Sequence, residues 1–332
     1  ASFGKEGVSA AEVIGVAGVE KFFDDYLRDP DNAGKPLTLS LDLTVQAAAE
    51  RVLWGGMKLM NAKGATSIPS DSPLYNRSVQ GVYELGSVFK IFAAVQAMDL
   101  GLVTADTMID TSPPMRVGGY PIGEFHSKNY GVLSVTDIIM HSSNRGSGRL
   151  ALQIGVERQQ EFLKKLGFFE STPFEIVEAA QGKPLLPKQW TELSAVTISY
   201  GHGISTSPMQ LAAAYSAIAN GGYIVKPTIL KQDGRTSQGE RVMSAKAAEA
   251  ARAMLRKVVT EGTASFGDVP GYAVGGKTGS ADKPNPQGGY YKDRNISTFA
   301  SMFPSNDPKY VLIVSLDEPV ETSGDKPRRT AG

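Results

Sequence analysis

Tyr83-Glu84-Leu85-Gly86-Ser87-Val88-Phe89-Lys90-Ile91-Phe92-Ala93-Ala94-Val95-Gln96-Ala97-Met98 is the stretch around which the chain is organised. After Gly86 its residues are apolar on nearly every side of a 3.6-residue turn, and a helix hydrophobic all round is a buried one. Yet the first turn carries Ser87 and Lys90. Three apart on a helix, their side chains share a face and can touch. Burial and the positive end of the helix dipole both lower a lysine pKa, and a neutral amine beside a hydroxyl is a general base beside a nucleophile. Helix N–H groups left unpaired at this end could hold a developing oxyanion. The plainer alternative is a capping serine and a surface lysine. A second Ser-x-x-Lys, Ser2-Phe3-Gly4-Lys5, has no apolar helix behind it and is read as chance.

Composition narrows the function classes. With 332 residues the chain can form one large domain or two ordinary ones. Lysine plus arginine and aspartate plus glutamate are both 34, so no net field attracts nucleic acid or anionic lipid, and no nucleic-acid partner is expected. Lack of cysteine removes disulfides and thiolate metal sites. The three histidines, His126, His141 and His202, are too scattered for a zinc site, so neither metal nor cofactor is expected. There is no apolar run of about 18 residues and no signal-peptide pattern.

Along the chain, a helical patch Val19–Leu27 and a polar linker Arg28–Gly34 read as a lead-in. Leu37–Leu41 alternates like a strand, and Asp42 opens a helix to about Met60 with Ala47, Val52, Leu53 and Met57 among its apolar positions. Pro69, Asp71, Ser72 and Pro73 mark a loop between Gly64 and Gln80. Gly101 closes the central helix, and residues 102–132 are irregular. Ser134-Val135-Thr136-Asp137 is a capping box for a helix that runs into His141-Ser142-Ser143-Asn144, with another helix from Arg145. Further helices are expected over Val156–Leu166, over Pro208–Ala219 after the cap Ser207, and from the cap Ser244 to about Thr260. Tyr223–Lys231, interrupted by Pro227, reads as an edge hairpin. Three strand-like runs come last: Ala273–Ser280, Ser297–Phe303 and Tyr310–Leu316. The pattern predicts an α+β fold whose antiparallel sheet is completed by the N-terminal strand.

Two further groups carry possible chemistry. Lys277-Thr278-Gly279 ends a strand whose Gly275, Gly276 and Gly279 leave room for another backbone; a ligand strand could pair along it while Lys277 met a carboxylate. Equally, it could be an exposed hairpin with an ordinary lysine. Ser142-x-Asn144 in a helix junction is, taken alone, a cap and turn former.

Ser-x-x-Lys, Ser-x-Asn and Lys-Thr-Gly in this order resemble the set of the active-site serine penicillin-binding proteins and β-lactamases. The text around them, Tyr83–Ser87, His141–Asn144, Gly155-Val156-Glu157-Arg158, Tyr200-Gly201-His202-Gly203 with Pro208–Leu211, and Gly275–Ser280, is most similar to class B penicillin-binding proteins of the division-specific type, from about Pro36 to Pro319. The resemblance implies an antiparallel sheet flanked by helices with an all-helical subdomain at roughly 100–220, residues 36–332 as transpeptidase domain, and 1–35 leading in from an N-terminal pedestal. It further implies peptidoglycan crosslinking: Ser87 as nucleophile on the penultimate D-alanine of a stem peptide and Lys90 as its base. Ser142 would relay a proton, and Asn144 would hold the acyl-chain amide and orient Lys90. Lys277 would polarise Ser142 and add positive potential; Thr278, Gly279 and Ser280 would bind substrate, the Thr278 and Ser280 hydroxyls meeting its carboxylate, and the backbone N–H groups of Ser87 and Ser280 would form the oxyanion hole. D-Ala-D-Ala stem peptides and β-lactams are the implied ligands. A membrane glycosyltransferase and division proteins are the implied partners, and the periplasmic face of a bacterial inner membrane, reached by one N-terminal anchor, is the implied place.

The chain departs from the family pattern in having Ser280 where threonine is usual, in lacking text for a strand pair between Gly64 and Ser87, and in stopping before a C-terminal helix. Rivals with the same fold are a serine β-lactamase, for which Glu175 and Glu178 lie in a suitable interval but outside any Glu-x-x-Leu-Asn sequence, a D,D-carboxypeptidase and a β-lactam sensor.

Overall fold

The computed structural model describes residues 4–6, 13–62, 75–233, 239–322 and 328–331. In chain order its elements are β1 (Gly4–Glu6), β2 (Val13–Gly15), α1 (Gly18–Phe22), α2 (Asp24–Arg28), α3 (Leu43–Leu59), a 3-10 turn at Gly86–Phe89 and α4 (Lys90–Asp99). Then come β3 (Met108–Asp110), β4 (Arg116–Val117), β5 (Tyr120–Pro121), β6 (Val132–Ser134), α5 (Val135–Met140), α6 (Asn144–Ile154), α7 (Val156–Lys165) and α8 (Glu192–Ser199). The last elements are α9 (Pro208–Ala219), α10 (Ala245–Thr260), β7 (Gly275–Pro284), β8 (Tyr290–Phe303) and β9 (Tyr310–Asp317).

The apolar stretch after Gly86 lies at the centre. Every residue from Lys90 to Ala97 is buried, in one core with α5, α6, α9, α10 and the inner face of the sheet. An aromatic cluster seals it on one side: the Phe89, Phe92 and Phe168 rings lie 4.9 to 5.5 Å apart, and Tyr215 meets Phe92 at 5.6 Å. Tyr215 donates its buried hydroxyl to the Val88 carbonyl at 2.8 Å, satisfying a backbone group that the 3-10 turn leaves open.

The capping chemistry read from sequence places most helix ends. Asp42 accepts from the Thr44 and Val45 amides, Ser134 from Asp137, and Ser244 from Ala247. Ser207 and Gln210 form a reciprocal capping box. Strands β7, β8 and β9 form an antiparallel meander with β8 central, in the register Lys277↔Ala300 and Phe299↔Val314.

Three expectations are corrected. The N-terminal strand does not join this sheet: Leu39 makes an isolated bridge to Leu230, flanked by Ser40 N to Ile229 O at 2.7 Å and Lys231 N to Thr38 O at 3.0 Å. For the same reason Tyr223–Lys231 is no hairpin. Tyr223 pairs with Arg241 and Leu230 with Leu39, so the two halves around Pro227 face different partners. The subdomain at 100–220 is not wholly helical, because β3 pairs with β6 and β4 with β5 across the irregular 102–132 text. Helix α3 forms where its cap predicts, and none of its residues is buried. The loop expected between Gly64 and Gln80 lies largely outside the described residues, as do residues 64–74 of the interval in which the strand pair is lacking. The lead-in helices touch the domain through Val19, which lies on a small second core of Val79, Ile176, Ala179 and Ile229.

Candidate active site

Ser87 sits in the 3-10 turn Gly86–Phe89, one turn before α4 proper begins at Lys90. The i, i+3 spacing that predicts contact on an α-helix is even closer to eclipsed in a 3-10 turn, and Lys90 Nζ lies 2.8 Å from Ser87 Oγ. Lys90 Nζ also lies 2.6 Å from the Ser142 carbonyl and 3.0 Å from Ser142 Oγ. The carbonyl can only accept, so one N–H goes there. A neutral amine then has one N–H and one lone pair for the two hydroxyls, which matches its three partners. Lys90 is 1 % exposed. Burial, and then the nearby charge of Lys277, hold its pKa well below the ordinary lysine value, with Glu124 pulling weakly the other way.

Lys277 reaches the same hydroxyl from the opposite side. Its Nζ lies 3.0 Å from Ser142 Oγ and 2.9 Å from the Thr278 carbonyl, and burial pushes its pKa down to about 7. Two lysines therefore converge on one serine oxygen inside the protein. Like charges so close disfavour double protonation, and a Lys-Ser-Lys chain with one proton fewer than its full complement can pass that proton along.

Ser142 holds this place at a φ of +61°, a left-handed backbone that a serine adopts only when its surroundings fix it. Lys90 holds its carbonyl, and Glu124 fixes the residues after it. The Glu124 carboxylate accepts from Ser143 Oγ at 2.6 Å, Asn144 N at 2.7 Å and Arg145 N at 3.0 Å, capping the N-terminus of α6. Asn144 is the first residue of α6 rather than a linker before it, with Ser143 as cap. Its side-chain amide donates to the Gly123 carbonyl at 2.9 Å. The hydrogen bonds of the Lys90 amine are to Ser87 and Ser142, the turn at Ser142 bringing its own carbonyl inward. Glu124 escaped sequence reading, since it stands in irregular text 20 residues before Asn144. Glu124→Ala would strip three donors of their acceptor at an 8 %-exposed position and is expected to lower stability by about 2–3 kcal/mol, read from urea unfolding.

On the strand side, β7 approaches the nucleophile turn without side chains between. A Cβ on Gly279 would stand 2.4 Å from the Leu85 carbonyl, and one on Gly86, at φ +62°, 2.4 Å from the Ser280 carbonyl. Only glycine fits at either place, so the backbones of Ser87 and Ser280 are neighbours. Thr278 Oγ1 pairs with Thr263 Oγ1 at 2.9 Å, and Ser280 Oγ accepts from Ala331 N at 2.8 Å, which leaves its own hydrogen to donate elsewhere. Neither Thr263 nor Ala331 carried a signal in the sequence. Glu175 and Glu178 are tied away from this site, Glu175 to Thr228 Oγ1 at 2.7 Å and Ile229 N at 2.9 Å, Glu178 to Gly18 N at 2.9 Å. Among the described residues no cluster of acidic or histidine side chains could hold a metal ion.

The family described as penicillin binding protein transpeptidase domain matches residues 48–331. A relative from Caulobacter vibrioides named probable peptidoglycan D,D-transpeptidase FtsI is 33 % identical over 92 % of this chain and 57 % of its own length. Penicillin-binding protein PbpB of Mycolicibacterium smegmatis is 34 % identical over 79 % of this chain and 43 % of its own. The chain thus spans about half the length of the curated relatives it matches. Among solved structures, the transpeptidase domain of Burkholderia pseudomallei penicillin-binding protein 3 is similar with a TM-score of 0.78 at 32 % identity, over 87 % of this chain and 90 % of that one. Penicillin-binding protein 3 of Mycobacterium tuberculosis, complexed with ampicillin, gives a TM-score of 0.81 at 27 % identity, over 92 % of this chain and 79 % of that one. The fold class expected from sequence, that of penicillin-binding proteins, is therefore the one found.

Proposed function

The chain belongs to the penicillin-binding protein transpeptidase family, and from that premise we propose that it is the catalytic domain of a septal peptidoglycan D,D-transpeptidase and a target of β-lactams. The observation that carries the reading is the amine of Lys90, buried and 2.8 Å from Ser87 Oγ, with Ser142 bridging it to Lys277.

Ser87 Oγ attacks the carbonyl carbon of the penultimate D-alanine while its proton passes to Lys90 Nζ. The backbone N–H groups of Ser87 and Ser280 receive the oxyanion. As the C–N bond breaks, Ser142 hands a proton to the leaving amine and is reprotonated from Lys90, and D-alanine departs. An amine of a second stem peptide then attacks the acyl-serine, its proton returns by the same route, and Ser87 is released. Thr278 and the free hydrogen of Ser280 donate to the substrate carboxylate, with Gly279 admitting the substrate backbone. Lys277 adds positive potential, and Asn144, its amide nitrogen held by Gly123, keeps an oxygen for the acyl-chain N–H. The domain spans 36–332, with 1–35 leading in from an N-terminal pedestal. Among the described residues no helix is long and apolar enough to cross a membrane. The parent protein is held at the periplasmic face by an N-terminal anchor and works with a membrane glycosyltransferase and division proteins.

The test uses a fluorescent penicillin, a chromogenic cephalosporin and a D-Ala-D-Ala peptide with a free D-amino acid. A stable one-to-one adduct with exchange of the D-amino acid into the peptide is expected. Rapid cephalosporin turnover would make the protein a β-lactamase, D-alanine release without exchange a carboxypeptidase, and a stable adduct with no peptide chemistry a sensor.

A further inference from the structure

Three residues before Ser87 stands a buried carboxylate that the reaction above does not use. Glu84 Oε2 lies 2.9 Å from His202 Nδ1, and Glu84 Oε1 accepts from Gly203 N at 2.8 Å and from Tyr290 Oη at 3.0 Å. These donors come from two distant pieces of chain, the loop between α8 and α9 and the start of β8. The His202 and Tyr290 rings lie 4.6 Å apart. Around this hub the nucleophile segment is laced to the same loop. Tyr83 and Thr206 exchange backbone hydrogen bonds at 3.0 and 2.9 Å, and Gly86 N donates to Gly201 O at 3.2 Å. A Cβ on Gly201 would stand 2.0 Å from the Gly86 carbonyl, so the two backbones are in direct contact beside Ser87.

Resting on the reading of Ser87 as the nucleophile, we propose that His202, acting through Glu84, is a positioning residue for Ser87, and that proton binding at His202 is thermodynamically coupled to adduct formation at Ser87. The groups facing His202 are Glu84 from the segment before the 3-10 turn, Asp282 from β7 and Tyr290 from β8. Two of these are carboxylates, and the bond to Glu84 holds the His202 pKa above its ordinary value against the opposing effect of burial. Tyr290 is kept protonated by burial and by the charge of Glu84, so it remains a donor. The imidazolium attracts the Glu84 carboxylate as an ion pair across 2.9 Å; the neutral ring attracts it less, and Gly86 and Ser87 come two and three residues on. Because His202 is partly exposed while Glu84 is not, the proton can reach the ring without opening the core.

The chain has only three histidines, so the His202 ring signals can be assigned and followed by NMR. In the free protein its midpoint is expected above the ordinary histidine value, and Glu84→Gln is expected to lower it. A boronic acid, which forms a reversible tetrahedral adduct on a serine oxygen, is expected to move the His202 midpoint. By reciprocity the factor equals that by which protonation of His202 changes boronate affinity, and that part of the pH dependence vanishes in His202→Gln. His202→Ala is expected to slow penicillin acylation about tenfold through the acylation step rather than initial binding, with His202→Gln restoring most of the rate. A His202 midpoint unmoved by the boronate, or wild-type acylation by His202→Ala, would overturn the coupling. If the wild type formed no adduct at Ser87 at all, the functional reading would fall together with it, an outcome distinct from a labelled protein whose His202 does not respond.

Discussion

Ser87→Ala leaves the protein folded and reduces covalent labelling by a penicillin more than about 10³-fold, to background. Ser87 is only half-buried, and Lys90 keeps its bonds to the Ser142 carbonyl and hydroxyl without it, so the stability change stays within about 1 kcal/mol. Among the described residues, the other hydroxyl sharing the Lys90 amine is Ser142 Oγ, and it is already engaged by two lysines. Intact-protein mass spectrometry with a thermal melt decides the matter: an adduct on the alanine variant of wild-type extent would remove Ser87 from the mechanism.

Lys90→Ala is expected to slow the same acylation by about 10²–10⁴-fold, the range for losing a positioned base. The wild-type pH profile should be a bell near neutrality. On the acid side both lysines carry protons and Ser87 has no base. On the alkaline side both are neutral and Ser142 loses its cation, at a limb set by Lys277 with its pKa of about 7. The two apparent values belong to the pair. Lys277→Ala removes the neighbouring charge that helps to depress Lys90, so the Lys90 pKa rises and the acid limb shifts to higher pH, while the alkaline limb is lost. Truncating Lys90 also leaves a cavity and an orphaned Ser142 carbonyl, so Lys90→Met, which keeps the volume, is the companion variant. A flat profile in the wild type, or a Lys90→Met that acylates normally, would contradict the assignment.

How much the sequence disclosed depends on how local its signals are. The all-round apolar run after Gly86 predicts a buried helix, and α4 is one; capping residues mark α3, α5, α9 and α10 to within a residue or two. Ser87 and Lys90 are three apart in one turn, so their contact is legible from spacing alone. The meeting of Lys90 with Ser142 and of Ser142 with Lys277 spans separations of 52 and 135 residues and is reached through resemblance, not spacing. Side chains that act through others left no trace: Glu124, Thr263 and the Glu84 contacts sit in irregular text where neither periodicity nor capping operates. The strand at Leu37–Leu41 failed because alternation says that a segment can pair without saying with what, and Leu39 meets Leu230 instead of the sheet.

Helix α3 has 17 residues and none buried, while α4 has 10 with Lys90 to Ala97 all buried. A helix of that length without tertiary burial is marginal in water, so its amides open by local fraying at a small fraction of the global unfolding free energy. Deuterium uptake should be complete in α3 within seconds to minutes, with α4 protected until the whole domain opens. The helix that follows the nucleophile turn would then lie in the slowest-exchanging region of the molecule, and opening of α3 would leave its protection unchanged.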